Sequence, residues 1–287
     1  MDEVWRRDIP QWHDLLGAQW AELPKLRVAR GVEGRVASRA ADIEESASLM
    51  LNLPPGWTFA PPEESGTLEL FVVGGSLVAQ GQRLEVGGFV AIPGGCAGAH
   101  ITAPQGAQVL AFWNQFPIGS CYPDGGVHVH DTRQERWTLV EMENIPHGTF
   151  FKPLRTPFMG GDGFGGPHSG NLSLIATLPS FHTCDSENHD DAWEEIIGLG
   201  GDMCFALRGS GGPGLVVGNP ARYDHGPYGT QRGHYAVMHA LEPIRVNFSH
   251  RDGYGEAMDH YHATEPLFGD QHWVHDWDQH TACRKHR

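Results

Sequence analysis

Short apolar runs that end at glycine or proline limit, more than any other feature, what this chain can fold into. Residues 68–73 stop at Gly74 and Gly75, and residues 89–92 stop at Pro93. With 38 glycines and 20 prolines among 287 residues, such breaks recur along most of the sequence. Runs of this length are typical of β-strands, because an ordinary helix needs about ten or more uninterrupted residues. The pattern predicts an all-β sandwich or barrel.

The same pattern of short apolar runs occurs twice, and the two copies align at three points in the same order. The matched segments are 49–54 with 174–179, 69–75 with 195–201, and Gly87-x5-Pro93 with Gly214-x5-Pro220. Their offsets are 125, 126 and 127 residues, so the alignment drifts by only one residue between anchors. We interpret this repeat as two copies of one β-domain.

The repeat divides the chain into five predicted parts. They are an N-terminal extension (1–46), a first barrel (47–114), a connection (115–148), a second barrel (149–248) and a C-terminal arm (249–287). Within the extension, residues 9–22 have the spacing of a short amphipathic helix. The arm is rich in histidine and aromatic residues.

Charge and cysteine usage restrict partners and compartment. The net charge of -15 argues against nucleic acid and anionic membranes, since both recruit clustered lysine and arginine. No apolar run approaches the roughly 18 residues of a membrane span, and the first eight residues lack an apolar leader. Five scattered cysteines without a CxxC pair indicate free thiols in a reducing cytoplasm. We expect a small-molecule substrate and, because exposed sheet edges need covering, a homodimer.

Eighteen histidines raise the question of which ones cluster with carboxylates. Glu187 and His189 are two residues apart, so on a strand both side chains face the same way. Glu194 begins the next apolar run, and His225 follows the break at Pro220. Two imidazoles and two carboxylates from neighbouring strands can converge on one divalent cation and leave coordination positions open for chemistry.

These residues resemble the two motifs of the cupin superfamily, G-x5-H-x-H-x3,4-E-x6-G and G-x5-P-x-G-x2-H-x3-N. His189-x4-Glu194-x6-Gly201 matches the later part of the first motif. After twelve intervening residues, Gly214-x5-Pro220-x-Arg222-x2-His225 matches the second motif. The chain is thus similar, over about residues 47–248, to a bicupin. The resemblance implies two tandem double-stranded β-helix (jelly-roll) barrels.

Several positions depart from the family pattern. Glu187 stands where the first motif has its first histidine, and Arg222 stands at the middle glycine of the second motif. Phe181 and Gly229 replace the leading glycine and the trailing asparagine. The resemblance implies metal ligands at Glu187, His189, Glu194 and His225. Because one imidazole has become a carboxylate, this set is harder and favours Mn, Fe(II) or Zn, one ion per chain.

The first copy lacks these ligands. Aligned through Gly75 and Pro93, the four positions fall on Pro61, Glu63, Leu68 and Gly98. One glutamate cannot hold a metal alone, so we predict a structural or substrate-wall domain. His100, two residues beyond the last position, is interpreted as a surface or hydrogen-bonded histidine.

Other histidines offer weaker alternatives. His128-Val129-His130-x4-Glu135 has metal-like spacing but lacks the glycine-terminated turn and the following motif, which favours a solvated strand or loop. His260, His262, His272 and His275 are interpreted as part of an arm that packs across the barrels or a partner subunit, with one residue able to cap the pocket. The quartet around Glu194 could also be a metal-free polar cluster around a sugar-like or acidic ligand.

The quartet allows three kinds of function. The first hypothesis is a dioxygenase acting on a small oxygenated substrate, the second a redox-inert lyase or isomerase, and the third a non-catalytic binding module. Glu187 could be a ligand or, when displaced, a general base. His239 is a second catalytic candidate. It shares strand parity with Tyr235, but parity alone leaves open whether both face the pocket or both face away.

Overall fold

A computed structural model describes most of the chain as β-structure. The described residues are 5–23, 31–59, 66–96, 99–114, 125–139, 149–155, 171–177, 181–182, 186–205, 209–226, 228–230, 232–241 and 246–249. Within them every regular element is a strand, so the all-β prediction is confirmed. None of these residues forms a helix long and apolar enough to cross a membrane.

Twenty-four strands follow one another along the described residues. The first twelve are β1 Gln11–Asp14, β2 Ala21–Glu22, β3 Glu33–Arg39, β4 Ser46–Leu53, β5 Trp57–Phe59, β6 Thr67–Gly75, β7 Leu77–Ala79, β8 Gln82–Leu84, β9 Gly88–Pro93, β10 Ile101–Ala103, β11 Ala107–Asn114 and β12 His128–Asp131. The others are β13 Thr138–Leu139, β14 Thr149–Pro153, β15 Asn171–Thr177, β16 Phe181–His182, β17 Ser186–His189, β18 Glu194–Gly201, β19 Met203–Phe205, β20 Gly209–Gly211, β21 Leu215–Asn219, β22 Tyr228–Thr230, β23 His234–Ala240 and β24 Val246–Ser249.

The strands form two sheet pairs of the same design. The N-terminal pair joins a seven-stranded sheet, β12-β9-β6-β11-β4-β3-β2, to a four-stranded sheet, β5-β10-β7-β8. The C-terminal pair joins β1-β21-β18-β23-β15-β14-β13 to β16-β22-β19-β20, and β17 and β24 form a separate two-stranded sheet. Corresponding strands occupy corresponding places, so the sequence repeat is also a repeat of topology.

The repeat extends to an irregularity in both large sheets. Val73 in β6 and Leu199 in β18 are the extra residues of two β-bulges, and the copies align them. Each bulge is followed by a glycine with positive φ, 69° at Gly75 and 75° at Gly201. A Cβ at Gly201 would lie only 1.7 Å from the carbonyl oxygen of Gly233, which explains the glycine there.

The short helix predicted for residues 9–22 is wrong. Those residues instead contain β1, which pairs antiparallel with β21, and β2, which pairs with β3. Gln11 and His13 are buried while Asp14 is exposed, an alternation of period two. Pairing with the edge of the large C-terminal sheet satisfies this backbone, and Gly17 would have weakened a helix.

Two of the segments outside the sequence repeat contribute edge strands to the large sheets. β1 from the N-terminal extension completes the edge of the C-terminal sheet, and β12 from the connection completes the edge of the N-terminal sheet by pairing with β9. Each half therefore receives an edge strand from the segment that precedes the other half.

Apolar side chains of the described residues form three cores, and strand parity assigns each residue to one of them. In β6, Leu68 and Leu70 face the core inside the N-terminal sheet pair, whereas Phe71 faces a layer where the two large sheets pack together. In β18, Ile196 faces the core inside the C-terminal pair and Ile197 faces the shared layer. Glu194 has the parity of Ile196, so its side chain points into the C-terminal pair.

An ion pair is buried in the layer between the two large sheets. Arg155, which follows β14, donates from Nε and Nη2 to the two carboxylate oxygens of Glu69 in β6 at 2.9 and 2.6 Å. Both side chains are about 1% exposed. Arg155 also donates from Nη1 to the carbonyl oxygen of Ala240 at 3.0 Å. This bidentate pair joins the two halves at a site that solvent does not screen.

Candidate metal centre

The structure brings the four predicted ligands together. Glu187, His189, Glu194 and His225 each offer one ligand atom, and these atoms lie within 4.8 Å of one another. Glu194 Oε2 is 3.2 Å from His225 Nε2 and 3.7 Å from His189 Nε2, and Glu187 Oε1 is 3.6 Å from His225 Nε2. Donors bound about 2.1 Å from one cation are separated by distances of this order.

Three segments deliver these side chains. Glu194 begins β18 and points into the C-terminal sheet pair, while Glu187 and His189 lie on β17, which pairs with β24. His225 lies in the turn after β21. Its backbone N–H donates to the carbonyl oxygen of Glu187, and the N–H of Glu187 donates in return, both at 2.8 Å. This backbone bridge holds two of the ligands side by side.

A hydrogen bond orients the His225 ring. Its Nδ1 lies 2.9 Å from the carbonyl oxygen of Tyr223, which can only accept, so Nδ1 is the donor. The other nitrogen, Nε2, therefore faces the carboxylates, and in the neutral ring it carries the lone pair that a metal needs.

The electrostatics of the cluster favour a positive charge at its centre. Burial lowers the pKa of His225, but the Glu187 and Glu194 carboxylates outweigh that effect and raise it to about 10. Burial raises the pKa of Glu194, but His189 and His225 lower it well below its ordinary value. Both pKa shifts indicate that the site favours ionised carboxylates next to a positive charge, which can be an imidazolium or a metal ion.

The donor set fits a divalent transition metal. Two imidazole nitrogens and two carboxylate oxygens suit Mn, Fe(II) or Zn, and two carboxylates sharing a mostly buried site repel each other unless a positive charge lies between them. His189, Glu194 and His225 are buried, whereas the Glu187 side chain is 23% exposed. Glu187 is thus the ligand on the accessible side of the cluster.

Arg222 holds the turn before His225 in a conformation that usually requires glycine. Its φ is 63°, in the left-handed region, at the position where the cupin motif has glycine. Its N–H donates to the carbonyl oxygen of His189 at 2.7 Å, and its Nε donates to that of Asp190 at 3.3 Å. The turn is therefore tied to the end of β17.

We expect Arg222→Gly to change the free energy of unfolding by less than about 1 kcal/mol, because relief of left-handed strain offsets the added chain entropy. Arg222→Val should cost about 2 kcal/mol, since a β-branched residue resists positive φ. Both variants remove the bond from Nε, so urea unfolding of the pair isolates the backbone effect. A loss in the glycine variant as large as that in the valine variant would contradict the argument from left-handed strain.

Other candidate histidines lie elsewhere. His130 Nδ1 is 2.9 Å from Glu135 Oε1, and both side chains are about one-third exposed on or just after the edge strand β12. Among the described residues, only the Glu187 quartet gathers metal-binding groups of this kind. His100 is exposed. The histidines of the C-terminal arm lie outside the described residues.

Four positions of the first copy align with the quartet, and one of them lies among the described residues. Leu68, which corresponds to Glu194, is 2% exposed and belongs to the core of the N-terminal sheet pair. Pro61, Glu63 and Gly98 lie outside the described residues.

The assignment of His239 to the site is corrected by the direction of its side chain. His239 faces the layer between the large sheets, where its Nδ1 is 3.2 Å from Ser48 Oγ and 3.5 Å from Glu195 Oε2. Its ring also packs on Phe112 and Trp193. Tyr235 packs against the same layer. Parity correctly grouped the two residues, and they face away from the metal cluster.

Asn219 was missed by the sequence analysis. It ends β21, is fully buried, and donates from Nδ2 to Glu194 Oε2 at 3.1 Å. A signal was available in the repeat, because the aligned residue of the first copy is Ile92. A buried polar residue in one copy and an apolar residue in the other mark a position where the two halves differ in chemistry.

Three solved structures resemble the chain over most of its length. A candidate dioxygenase from Nostoc punctiforme has a TM-score of 0.66 at 14% identity, covering 85% of this chain and 88% of that one. Ylba from E. coli has a TM-score of 0.57 at 12% identity, with coverages of 83% and 93%. A candidate glyoxylate-induced protein from Pseudomonas aeruginosa has a TM-score of 0.53 at 14% identity, with coverages of 81% and 85%.

Sequence comparisons add nothing to these likenesses. A scan against family models found no match, and a search of curated proteins found none. At 12% to 14% identity, structural likeness establishes architecture and leaves activity to be argued from the site. The similar structures are cupin-fold proteins, and the chain therefore has the cupin fold.

Proposed function

We propose that the chain is a bicupin whose C-terminal half is a metal-dependent dioxygenase acting on a small oxygenated organic substrate. The observation that carries the proposal is the convergence of Glu187, His189, Glu194 and His225 within 4.8 Å. The matching strand orders of the two large sheets support the bicupin assignment, and Leu68 at the position of Glu194 supports a metal site in the C-terminal half alone.

The quartet would hold Fe(II), Mn or Zn, and such an ion would supply a Lewis acid, or in the case of iron a binding site for dioxygen. The protein would contribute the arrangement of the donor atoms and a group that accepts a proton. His189, Glu194 and His225 are at most 6% exposed and fix the geometry from two sheets and a turn. Glu187, on the accessible side, is placed to act as a ligand or to accept a proton from a substrate that displaces it.

A redox-inert lyase or isomerase is the second candidate. Such an enzyme needs a carboxylate base beside the metal, and the partial exposure of Glu187 favours that role. The two reactions differ in their need for iron and dioxygen, so metal identity separates them.

Protein purified without chelators should contain close to one Fe, Mn or Zn per chain. Removing a metal present at about a thousand times its Kd costs about 4 kcal/mol, so EDTA should lower the Tm by about 10 °C.

Oxygen uptake with diketones, catechols or phenolic ketones by an iron-loaded sample would support the dioxygenase. Zinc or manganese without oxygen uptake would favour the lyase or isomerase. A metal-free protein with an unchanged Tm in EDTA would leave a non-catalytic binding module and contradict the proposal.

We also infer a cytoplasmic location and a homodimer. The scattered cysteines support the first, and the edge strands that end the two large sheets support the second. Light scattering of the purified protein would test the dimer, with a mass near 63 kDa, twice the 31.5 kDa of one chain, as the expected result.

A further inference from the structure

We infer that Asn219 is a positioning residue that aims the carboxylate of Glu194 at the cation, an inference that rests on the proposed metal centre. Asn219 and Glu194 are direct neighbours across the β21–β18 ladder. The Nδ2 amide donates to Glu194 Oε2 at 3.1 Å, and the two residues are 0% and 4% exposed. The bond is therefore made away from water, where its geometry is well defined.

The bonded oxygen is the one that faces the imidazoles. Glu194 Oε2 lies 3.2 Å from His225 Nε2 and 3.7 Å from His189 Nε2, so Oε2 is the ligand atom of this carboxylate. A carboxylate oxygen has two lone pairs. Asn219 uses one of them and leaves the other directed at the space between the two rings. The amide thereby fixes the rotation of the carboxylate and draws charge from the ligand oxygen.

The first copy supplies an internal comparison. Its β6 and β9 place Leu68 opposite Ile92, in the register that pairs Glu194 with Asn219 in the second copy. Leu68 and Ile92 are each 2% exposed. Where the carboxylate is replaced by an apolar side chain, the amide opposite it is replaced as well. A buried amide costs about 1–3 kcal/mol unless it is hydrogen-bonded, so the second copy keeps its amide together with the ligand it orients.

The test is Asn219→Leu in the full chain, with metal binding as the readout. Replacement of a residue that orients a ligand typically weakens binding 10- to 100-fold. We expect the Kd for Zn(II), measured by competition with a chromophoric chelator, to rise by that factor. We also expect the visible absorption bands of the Co(II)-loaded protein to change in position or intensity, because they report the geometry of the donors. Asn219→Ala, which adds no bulk, is measured in parallel in case the leucine variant does not fold.

Gln11→Leu is the matched control. It removes another buried side-chain amide, on β1 next to β21, whose Nε2 bonds the carbonyl oxygen of Arg6 and not the metal cluster. This variant should keep the wild-type Kd and Co(II) spectrum. Wild-type Kd and spectrum in both Asn219 variants would overturn the inference while leaving the metal centre intact. Absence of Zn(II) and Co(II) binding in the wild-type protein would instead overturn the proposed function.

Discussion

Replacing His225 with alanine should weaken the binding of a divalent metal by at least about a hundredfold and leave the purified protein nearly metal-free. His225 Nε2 lies within 3.6 Å of both carboxylates, and the side chain is only 3% exposed. Removing it takes away one of four donors and leaves two carboxylates facing each other across a small cavity. Loss of a direct ligand costs more than the 10- to 100-fold typical of residues behind the ligands. Metal content by mass spectrometry and Kd by chelator competition measure the effect.

Two other histidines serve as controls for this variant. His128→Ala alters the alternative motif on β12, and His100→Ala alters an exposed residue of the first copy. Both variants should retain wild-type metal content. Equal metal loss in His128→Ala would move the metal site to the edge strand β12 and contradict the assignment of the quartet.

Replacing Arg155 with methionine should lower the free energy of unfolding by about 3–5 kcal/mol. The substitution leaves the Glu69 carboxylate 1% exposed and without its bidentate partner, and removing one member of a buried ion pair is costly. It also removes a donor from the carbonyl oxygen of Ala240. Denaturant unfolding followed by circular dichroism measures the loss.

Two comparisons separate the charge effect from lost packing. The double variant Glu69→Leu/Arg155→Met removes both charges and should recover much of the stability, because apolar replacement of a buried pair is often neutral. Arg133→Met breaks ion pairs with Glu85 and Asp131 at the surface, where the arginine side chain is half exposed, and should cost about 1 kcal/mol or less. A loss at Arg155 no larger than that at Arg133 would contradict the stabilising role of the buried pair.

Much of the fold and of the candidate site could be predicted from the amino-acid sequence. Gly75 and Gly201 mark two bulges that the repeat aligns, because a backbone at positive φ in close contact with another strand excludes side chains. The resemblance to the cupin motifs predicted the quartet, and strand parity placed Glu187 and His189 on the same face of their strand. These are local constraints, carried by neighbouring residues.

The tertiary structure decided which face of each strand meets which core. Each large sheet is buried on both sides, one against its four-stranded partner and the other against the second large sheet, so β6 and β18 are almost continuously buried. Alternation then shows that Glu194 and Glu195 point in opposite directions but not which of them enters the site. The same ambiguity left His239 undecided and concealed Asn219. The helix predicted for residues 9–22 failed for a related reason, because β1 is specified by the edge of β21, about two hundred residues away in the chain.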